Sequence, residues 1–260
     1  MDLQLSGKRA VVTGGSRGIG LATAKKLIAE GARVVIMART PETLKAAAEA
    51  SGAVPVVVDT NEDESVRRAV AEAVDALGGI DILVNSAAQP SGQNRAPKVV
   101  EVTNESFYAD MNVKVLGYLR MIREVAPHMA AAGGGRIVNV SGLGARTTGT
   151  VIGSMRNVAV AALTKNAADE LGPSGIGVVV VHPGYVRTEA TPAVLAWRAE
   201  NSGTTVEEIE RRLGAANALG RIVDADEVAT VITFLASPLA QAVNGDAVTC
   251  GGGSRGVIHY

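Results

Sequence analysis

The sequence predicts an α/β protein built on a doubly wound, parallel sheet of seven strands, with helices on both faces. Short apolar runs rich in valine, isoleucine and leucine alternate along the chain with longer segments of helical pattern. Several of these runs are apolar throughout, which is typical of strands buried on both faces of a parallel sheet. Because 260 residues suit one domain of this class, we expect a single domain over residues 1–260.

The predicted elements follow from the positions of these runs. Strands are expected at residues 9–13, 33–37, 54–59, 80–85, 136–140, 177–182 and 247–249. Helices are expected between them, among others at residues 18–30, 63–77, 106–129, 154–171 and 226–236. Parallel strands joined through helices need crossover connections, and these are right-handed in nearly all proteins.

One segment, at about residues 188–217, interrupts the alternation. It contains a predicted helix with Val206, Ile209 and Leu213 on one face and an acidic first turn after Thr205. In a doubly wound sheet, ligands bind beyond the carboxyl ends of the strands, and this segment follows such an end. We therefore interpret it as a helical lid over a substrate, and the alternative is an ordinary surface helix.

Composition restricts the partners and the environment. The net charge is -1, whereas a nucleic-acid-binding protein needs a basic surface against phosphates. The single cysteine, Cys250, permits no internal disulfide, which favours a reducing, cytoplasmic location. The sequence contains no recognisable signal peptide, no apolar run long enough to span a membrane and no spacing typical of metal ligands. We expect a small-molecule substrate, and neither a nucleic-acid nor a membrane partner.

A glycine-rich turn joins the first predicted strand to the first predicted helix. It reads Thr13-Gly14-Gly15-Ser16-Arg17-Gly18-Ile19-Gly20. In such a turn one glycine allows the tight bend, a second lets the backbone approach a pyrophosphate, and a third lets helix and strand pack closely. The free N–H groups at the helix N-terminus then face the phosphates. This context predicts a Rossmann-type dinucleotide site, with Gly14, Ser16, Arg17, Gly18, Ile19 and Gly20 as cofactor-binding residues.

The end of the second strand distinguishes between two cofactors. NAD-binding proteins place an acidic residue there for the ribose hydroxyls, whereas NADP-binding proteins place an arginine nearby for the 2′-phosphate. This chain reads Met37-Ala38-Arg39, without an acid, and Arg17 could supply a second positive charge. We therefore favour NADP(H) over NAD(H), with Arg39 as a binding residue. The alternative is that Arg39 is a solvated surface residue.

Short motifs continue along nearly the whole chain beyond this turn. They are Asp59-Thr60 after the third strand, Asn85-Ser86-Ala87-Ala88, Asn112, Pro183-Gly184-Tyr185-Val186-Arg187-Thr188 and Leu219-Gly220-Arg221-Ile222. Together with the glycine turn they resemble the classical short-chain dehydrogenase/reductase family. The resemblance implies that Asp59 contacts adenine and that the proline–glycine loop borders the nicotinamide. It also implies cofactor contacts from Thr60, Asn85, Ala87, Pro183, Gly184, Val186 and Thr188.

The same resemblance implies that three of the family's catalytic positions are vacant. Family members use a tyrosine to exchange the proton on oxygen, a lysine four residues later to lower the pKa of that tyrosine, and a serine to orient the substrate. Aligned through the flanking segments, Gly142 takes the serine position, Gly153 the tyrosine position and Asn157 the lysine position. Without a gap, Met155 and Ala159 take the last two positions instead. None of these residues can do acid–base work, although Asn157 could hydrogen-bond a ribose hydroxyl of the cofactor.

Asn112 matches the family's catalytic asparagine and is the one catalytic match that remains. A substitute proton donor could be Tyr185, whose loop should border the nicotinamide, or a water held by Asn112. The alternative for Tyr185 is a role in packing or in the lid. Tyr260 is a more remote candidate, which could reach the site of a neighbouring subunit.

Three functions remain open on this sequence. The first is an NADP(H)-dependent oxidoreductase for a carbonyl or alcohol substrate, with a non-standard proton donor. The second is a non-redox enzyme such as a dehydratase, an isomerase or a cyclase, and the third is a catalytically silent cofactor-binding subunit. We favour the first, because hydride transfer is the usual chemistry of the family. A homodimer or homotetramer is also expected, formed through the helices at residues 106–129 and 154–171.

Overall fold

The computed structural model describes residues 1–89, 93 and 95–256, and it confirms the predicted doubly wound sheet. Within these residues, seven parallel strands lie side by side in the order β3-β2-β1-β4-β5-β6-β9. Their bounds are β1 Arg9–Thr13, β2 Arg33–Ala38, β3 Val54–Val57, β4 Ile82–Asn85, β5 Gly135–Val140, β6 Ile176–Pro183 and β9 Ala247–Cys250. Each predicted strand is present, with ends that differ from the prediction by no more than two residues.

Helices cover both faces of this sheet. Their bounds are α1 Gly18–Ala29, α2 Pro41–Ser51, α3 Asp63–Leu77, α4 Asn104–Met111, α5 Gly117–Ala131, α6 Val151–Leu171, α7 Thr191–Ser202, α8 Val206–Ala215 and α9 Ala225–Ala236. Neighbouring residues of one strand belong to opposite layers: Val12 packs into the core that contains Leu27 of α1, and Val11 into the core that contains Met121 of α5. Both strand faces are therefore apolar, which explains the unbroken hydrophobic runs in the sequence.

The helix expected at residues 106–129 is instead interrupted. Between α4 and α5, residues Asn112–Leu116 form a π-helical turn, which is one residue wider than an α-helical turn. Side-chain donors contact the carbonyls of this turn: Thr60 Oγ1 lies 3.4 Å from the carbonyl oxygen of Val113, and Arg120 Nη1 lies 3.4 Å from that of Asn112. These tertiary contacts have no periodic signature, so the sequence pattern could not indicate the interruption.

The segment expected to act as a lid contains two helices rather than one. α7 and α8 pack on each other through a small cluster of their own, with Leu195, Ala199 and Ile209 buried and Leu213 partly buried. A two-stranded parallel sheet, β7 Val186–Arg187 with β8 Val223–Asp224, was not predicted, because two-residue strands carry no detectable alternation. Its pairing holds together the two ends of the α7–α8 segment.

Two features are absent from the described part of the chain. No helix there is long and apolar enough to cross a membrane. No group of three or more His, Cys, Asp or Glu side chains there could hold a metal ion.

Candidate functional site

A cleft of about 680 Å³ lies beyond the carboxyl ends of the central strands. Ligands of doubly wound sheets bind at this edge, where the strand order reverses, and β1 and β4 are the neighbouring strands on either side of that reversal. The loops after β1, β2, β3, β4 and β5 supply most of its walls. The lining residues are Gly14, Ser16, Arg17, Ile19, Gly20, Met37, Ala38, Arg39, Thr40, Thr43, Val58, Thr60, Ser86, Ala87, Ala88, Val113, Lys114, Val140, Ser141, Thr188 and Glu189.

The glycine turn forms the floor of this cleft. Gly14 has a φ of +66°, and a Cβ there would lie 2.8 Å from the carbonyl oxygen of Ser86. A Cβ on Gly20 would lie 2.3 Å from the carbonyl oxygen of Gly14. No side chain fits at either position. Because both residues are glycines, the backbone of the turn can pack directly against the end of β4 and against the start of α1. The first N–H groups of α1 consequently point into the cleft, where an anion would bind.

The end of the cleft beside β2 is cationic. Arg39, Thr40 and Thr43, which follow β2, line it, and Arg17 of the glycine turn also lines the cleft; both arginines are exposed. Among the described residues that line the cleft, Glu189 is the only carboxylate, and it belongs to the loop after β7. Guanidinium groups bind phosphate with two parallel hydrogen bonds, so this end suits a phosphate better than a bare ribose.

Asp59 and Asn85 lie beside the cleft rather than on its surface. Asp59 Oδ1 accepts hydrogen bonds from the backbone and the side chain of Asn61, at 3.0 and 2.9 Å. Asn85 is fully buried and donates through Nδ2 to Asn139 Oδ1 at 3.0 Å, and Asn139 donates in turn to Thr164 Oγ1 at 3.0 Å. This chain of hydrogen bonds ties β4, β5 and α6 together below the cleft. Of the neighbouring residues predicted to bind cofactor, Thr60 and Ala87 do line the cleft.

Asn157 lies against Gly142 at the far end of the cleft. A Cβ on Gly142 would come within 3.1 Å of Asn157 Nδ2, and a Cβ on Gly153 would meet Thr150 Oγ1 at 2.3 Å. Ser141 Oγ donates to the Asn157 backbone carbonyl at 3.0 Å. The buried carboxamide of Asn157 thus fills the space above Gly142, whereas Met155 of the alternative alignment is half exposed.

Lys114, which the sequence reasoning did not single out, borders this end of the cleft. It extends from the π-helical turn, is 5% exposed, and donates from Nζ to the carbonyl oxygen of Ser141 at 2.9 Å. Burial lowers the pKa of its amine to about 7, with a smaller lowering from the charge of Arg156 and an opposing effect from Asp110. A lysine inside the otherwise apolar run Val113-Lys114-Val115-Leu116 is the sequence signal that could have identified it.

Other predicted residues lie away from the cleft surface. Asn112 Oδ1 accepts a hydrogen bond from Arg120 Nη1 at 2.8 Å. The ring of Tyr185 is covered by the Arg198 guanidinium, 5.2 Å from the ring centroid. Neither Asn112 nor Tyr185 is among the described lining residues, nor are Pro183, Gly184 and Val186 of the same loop as Tyr185. That loop reaches the cleft through Thr188, and Tyr260 lies outside the described residues.

Comparison with known proteins identifies the family. A family model described as enoyl-(acyl carrier protein) reductase matches residues 14–255. Sorbitol dehydrogenase of Cereibacter sphaeroides is 36% identical over 257 residues, covering 97% of this chain and 99% of that protein. The chain belongs to the short-chain dehydrogenase/reductase family. The 3-oxoacyl-[acyl-carrier-protein] reductase FabG of Aquifex aeolicus is 33% identical, covering 97% of this chain and 99% of its own.

A solved structure supports the same family at the level of the fold. L-sorbose reductase from Gluconobacter frateurii, complexed with NADPH and L-sorbose, superposes with a TM-score of 0.91 at 29% identity, over 99% of this chain and 100% of that one. Members of the short-chain dehydrogenase/reductase family bind a nicotinamide cofactor. The cleft fits one, because its floor is a backbone cradle at a helix N-terminus and its volume lies in the range of cofactor sites.

Proposed function

We propose that this protein is an NADP(H)-dependent oxidoreductase that interconverts a carbonyl and an alcohol, with a proton donor that differs from the family's tyrosine. The observation that carries the cofactor preference is the pair of exposed arginines, Arg17 and Arg39, that line the cleft, with no acidic residue at the end of β2. A 2′-phosphate would neutralise this pair, whereas NAD would leave both guanidiniums without an anion. The NADPH in the L-sorbose reductase structure supports the same choice.

Different residues of the cleft would bind different groups of the cofactor. The backbone of the glycine turn would hold the pyrophosphate, Arg17 and Arg39 the 2′-phosphate, and Thr188 lies where the loop after β7 meets the cleft. When bound, the cofactor supplies or accepts a hydride at the nicotinamide ring. The protein must then orient the carbonyl and exchange one proton with its oxygen.

The proton donor is non-standard on this proposal. Gly142, Gly153 and Asn157 stand in for the family's serine, tyrosine and lysine, and none of the three has an acidic or basic side chain. Gly153 is additionally closed on its side-chain face by Thr150 Oγ1, which caps α6 by accepting from the Gly153 N–H at 3.0 Å. A donor for the oxygen therefore has to come from another element.

The segment at residues 188–217 is proposed as the substrate lid. Its two helices pack mainly on each other, and its first residues, Thr188 and Glu189, are the part that borders the cleft. Movement of α7 and α8 about this end would cover the substrate without disturbing the sheet. Two of the relatives act on sorbitol and L-sorbose by name, so polyols and ketoses are the first substrates to test.

Titration of the purified protein with NADPH and NADH tests the cofactor proposal. Arg39→Ala should weaken NADPH binding by about ten- to a hundredfold, the value of a charged hydrogen bond, and leave NADH binding nearly unchanged. Arg67→Ala is the matched control, because Arg67 is an exposed arginine on α3 paired with Glu64. Equal affinities of the wild type for both cofactors would contradict the preference.

A turnover screen with ketoses, polyols and 3-oxoacyl thioesters tests the reaction. We expect NADPH consumption in proportion to product. Substrate conversion without net change in NADPH would favour a non-redox enzyme instead. Tight cofactor binding with no conversion of any carbonyl or alcohol would favour a silent subunit.

A further inference from the structure

We propose that Lys114, on the π-helical turn between α4 and α5, is the proton donor of this enzyme and replaces the acid–base pair that the family carries on the helix corresponding to α6. The inference rests on the proposed oxidoreductase function and identifies the group that exchanges a proton with the substrate oxygen. Within the described residues that line the cleft, Lys114 is the only side chain that is both buried and able to titrate.

The position of Lys114 relative to α6 is the first support. Its Nζ donates to the carbonyl oxygen of Ser141 at 2.9 Å, and the hydroxyl of the same serine donates to the Asn157 carbonyl at 3.0 Å. Lys114 and Asn157 therefore approach one residue from two different helical segments. Family members carry a positive charge at the position of Asn157. In this chain the Lys114 ammonium supplies a positive charge that is separated from Asn157 only by Ser141, which bonds to both residues.

The hydrogen bonding of Lys114 leaves protons available. An ammonium group has three N–H donors, and the bond to Ser141 uses one of them. The backbone carbonyl fixes the direction of the side chain but cannot remove its proton. Because Lys114 also lines the cleft, a substrate oxygen or a bridging water can accept one of the remaining protons.

The titratable groups around Lys114 come from three helices. Asp110 at the end of α4 pairs with Arg156 of α6, and the two side chains are mostly shielded from solvent. Tyr118 of α5 is fully buried, donates its hydroxyl to the carbonyl of Val140 at 2.9 Å, and has a pKa raised well above its ordinary value by burial. Lys114 is thus the group of this cluster that titrates near neutral pH, with a pKa of about 7. A group with such a pKa can give and regain a proton during turnover.

The π-helical turn determines where the amine points. An α-helix through residues 104–131 would keep its side chains in regular register, whereas the wider turn at Asn112–Leu116 shifts that register between α4 and α5. Within this turn Val113 and Lys114 are buried and line the cleft, whereas Leu116 is exposed. A π turn at a functional site is a common arrangement in enzymes.

The proposed reduction balances with NADPH as the only other reactant. The carbonyl carbon accepts a hydride from bound NADPH, and the electron pair of the C=O π bond moves to oxygen. That oxygen takes a proton from the Lys114 ammonium, which leaves the alcohol, a neutral amine and NADP⁺. The amine regains a proton from solvent, and oxidation of an alcohol follows the same steps in reverse.

The test combines a titration of the cofactor-free protein with kinetics of variants. In protein labelled with ¹⁵N-lysine, the Nζ signal that is absent from Lys114→Met should titrate in the wild type near pH 7. In steady-state assays, Lys114→Met should lower kcat by about a hundred- to ten-thousandfold and remove the titration near neutral pH, with NADPH affinity and thermal stability retained. Lys114→Arg keeps the charge but cannot release its proton, so it should bind NADPH and remain similarly slow.

Lys165→Met is the control, because Lys165 is an exposed lysine on α6 paired with Asp169, and its kcat should match that of the wild type. An ordinary lysine pKa for Lys114 would overturn the inference, and Lys114→Arg supplies the assignment of the Nζ signal if Lys114→Met does not fold. Wild-type turnover that Lys114→Met leaves unchanged in rate and pH profile would overturn it as well, while the proposed function stands. Absence of NADPH-coupled turnover in the wild type would instead refute the proposed function, and the role of Lys114 with it.

Discussion

The carboxylate of Glu189 accepts a hydrogen bond from the backbone N–H of Gly18, with 2.9 Å between Oε1 and N. Gly18 is the first residue of α1, so this N–H belongs to the helix terminus that attracts anions. Glu189 precedes α7, at the start of the proposed lid. A side-chain carboxylate thus occupies a donor that a cofactor phosphate would use, and the two anions cannot share it.

Neutralising Glu189 should therefore tighten cofactor binding. Glu189→Gln removes the repulsion between carboxylate and phosphate, and we expect NADPH affinity to rise by about three- to tenfold, the range of a charge at a helix terminus. Calorimetric titration of both proteins at the same ionic strength measures the change. Glu200→Gln, on the exposed side of α7, is the control. Weaker binding by Glu189→Gln would mean that the carboxylate assists the cofactor.

Adding a methyl group at Gly20 should disrupt the cradle. The new Cβ would lie 2.3 Å from the carbonyl oxygen of Gly14, and because that atom belongs to the backbone, the turn itself must move. We expect Gly20→Ala to lower the free energy of unfolding by about 2 kcal/mol or more, typical of severe overpacking, and to abolish dinucleotide binding. In Gly149→Ala the new Cβ meets open space, so denaturant unfolding should show almost no change. Retained binding by Gly20→Ala would contradict the described geometry.

The buried amine of Lys114 should make stability depend on pH. Its pKa is lowered from 10.5 to about 7, mainly by burial, so between these values the unfolded chain binds one proton more than the folded protein. Stability therefore rises with pH in this window, by up to about 1.4 kcal/mol per pH unit for a fully buried group. Urea unfolding from pH 7 to pH 9 should show a steeper rise for the wild type than for Lys114→Met. Parallel curves would show that the amine titrates as in an exposed lysine.

An apolar surface on α5 and α6 should form an interface between two copies of the chain. Leu119, Met155 and Val158 are each at least 41% exposed, and Leu116 of the π-helical turn is similarly exposed. Several large apolar side chains exposed on neighbouring helical segments are the kind of surface that proteins use for association. Light scattering should show a homodimer or homotetramer, and Val158→Glu should shift it to smaller species. Leu239→Glu, at an exposed leucine that follows α9, should not, and a wild-type monomer would refute the prediction.

Sequence patterns were sufficient for the sheet because its signal is local. Val11 and Val12 are apolar on both faces of the same strand, and that is visible without knowing which helices cover them. The glycine turn was equally readable, since the spacing of Gly14, Gly18 and Gly20 reflects backbone contacts within a few residues of each other. The family match covers residues 14–255, so family and fold follow from the chain alone.

The end of the cleft that Lys114 and Ser141 line depends on contacts between elements that are distant in sequence, so it was less predictable. Asn112 matched a family position, but its carboxamide contacts Arg120. Lys114 lies only two residues further on, and its burial depends on how the π turn meets the end of β5. Tyr185 lies in the expected loop, but its ring is covered by the Arg198 guanidinium. Matching residues to family motifs located the segments that form the site. The direction of each side chain depends on contacts that exist only in the folded protein.

The π-helical turn has a consequence for how this wall of the cleft could change over time. Deleting Val115 or Leu116 from this turn would restore a continuous α-helix and rotate everything before the deletion, Lys114 included, by about 100° relative to α5. The amine would then leave the cleft without any substitution at the lysine codon, and α5 would keep its packing against the sheet. If Lys114 has the proposed role, the number of residues in this turn therefore determines, as much as the residue type at position 114, whether an amine lines the cleft.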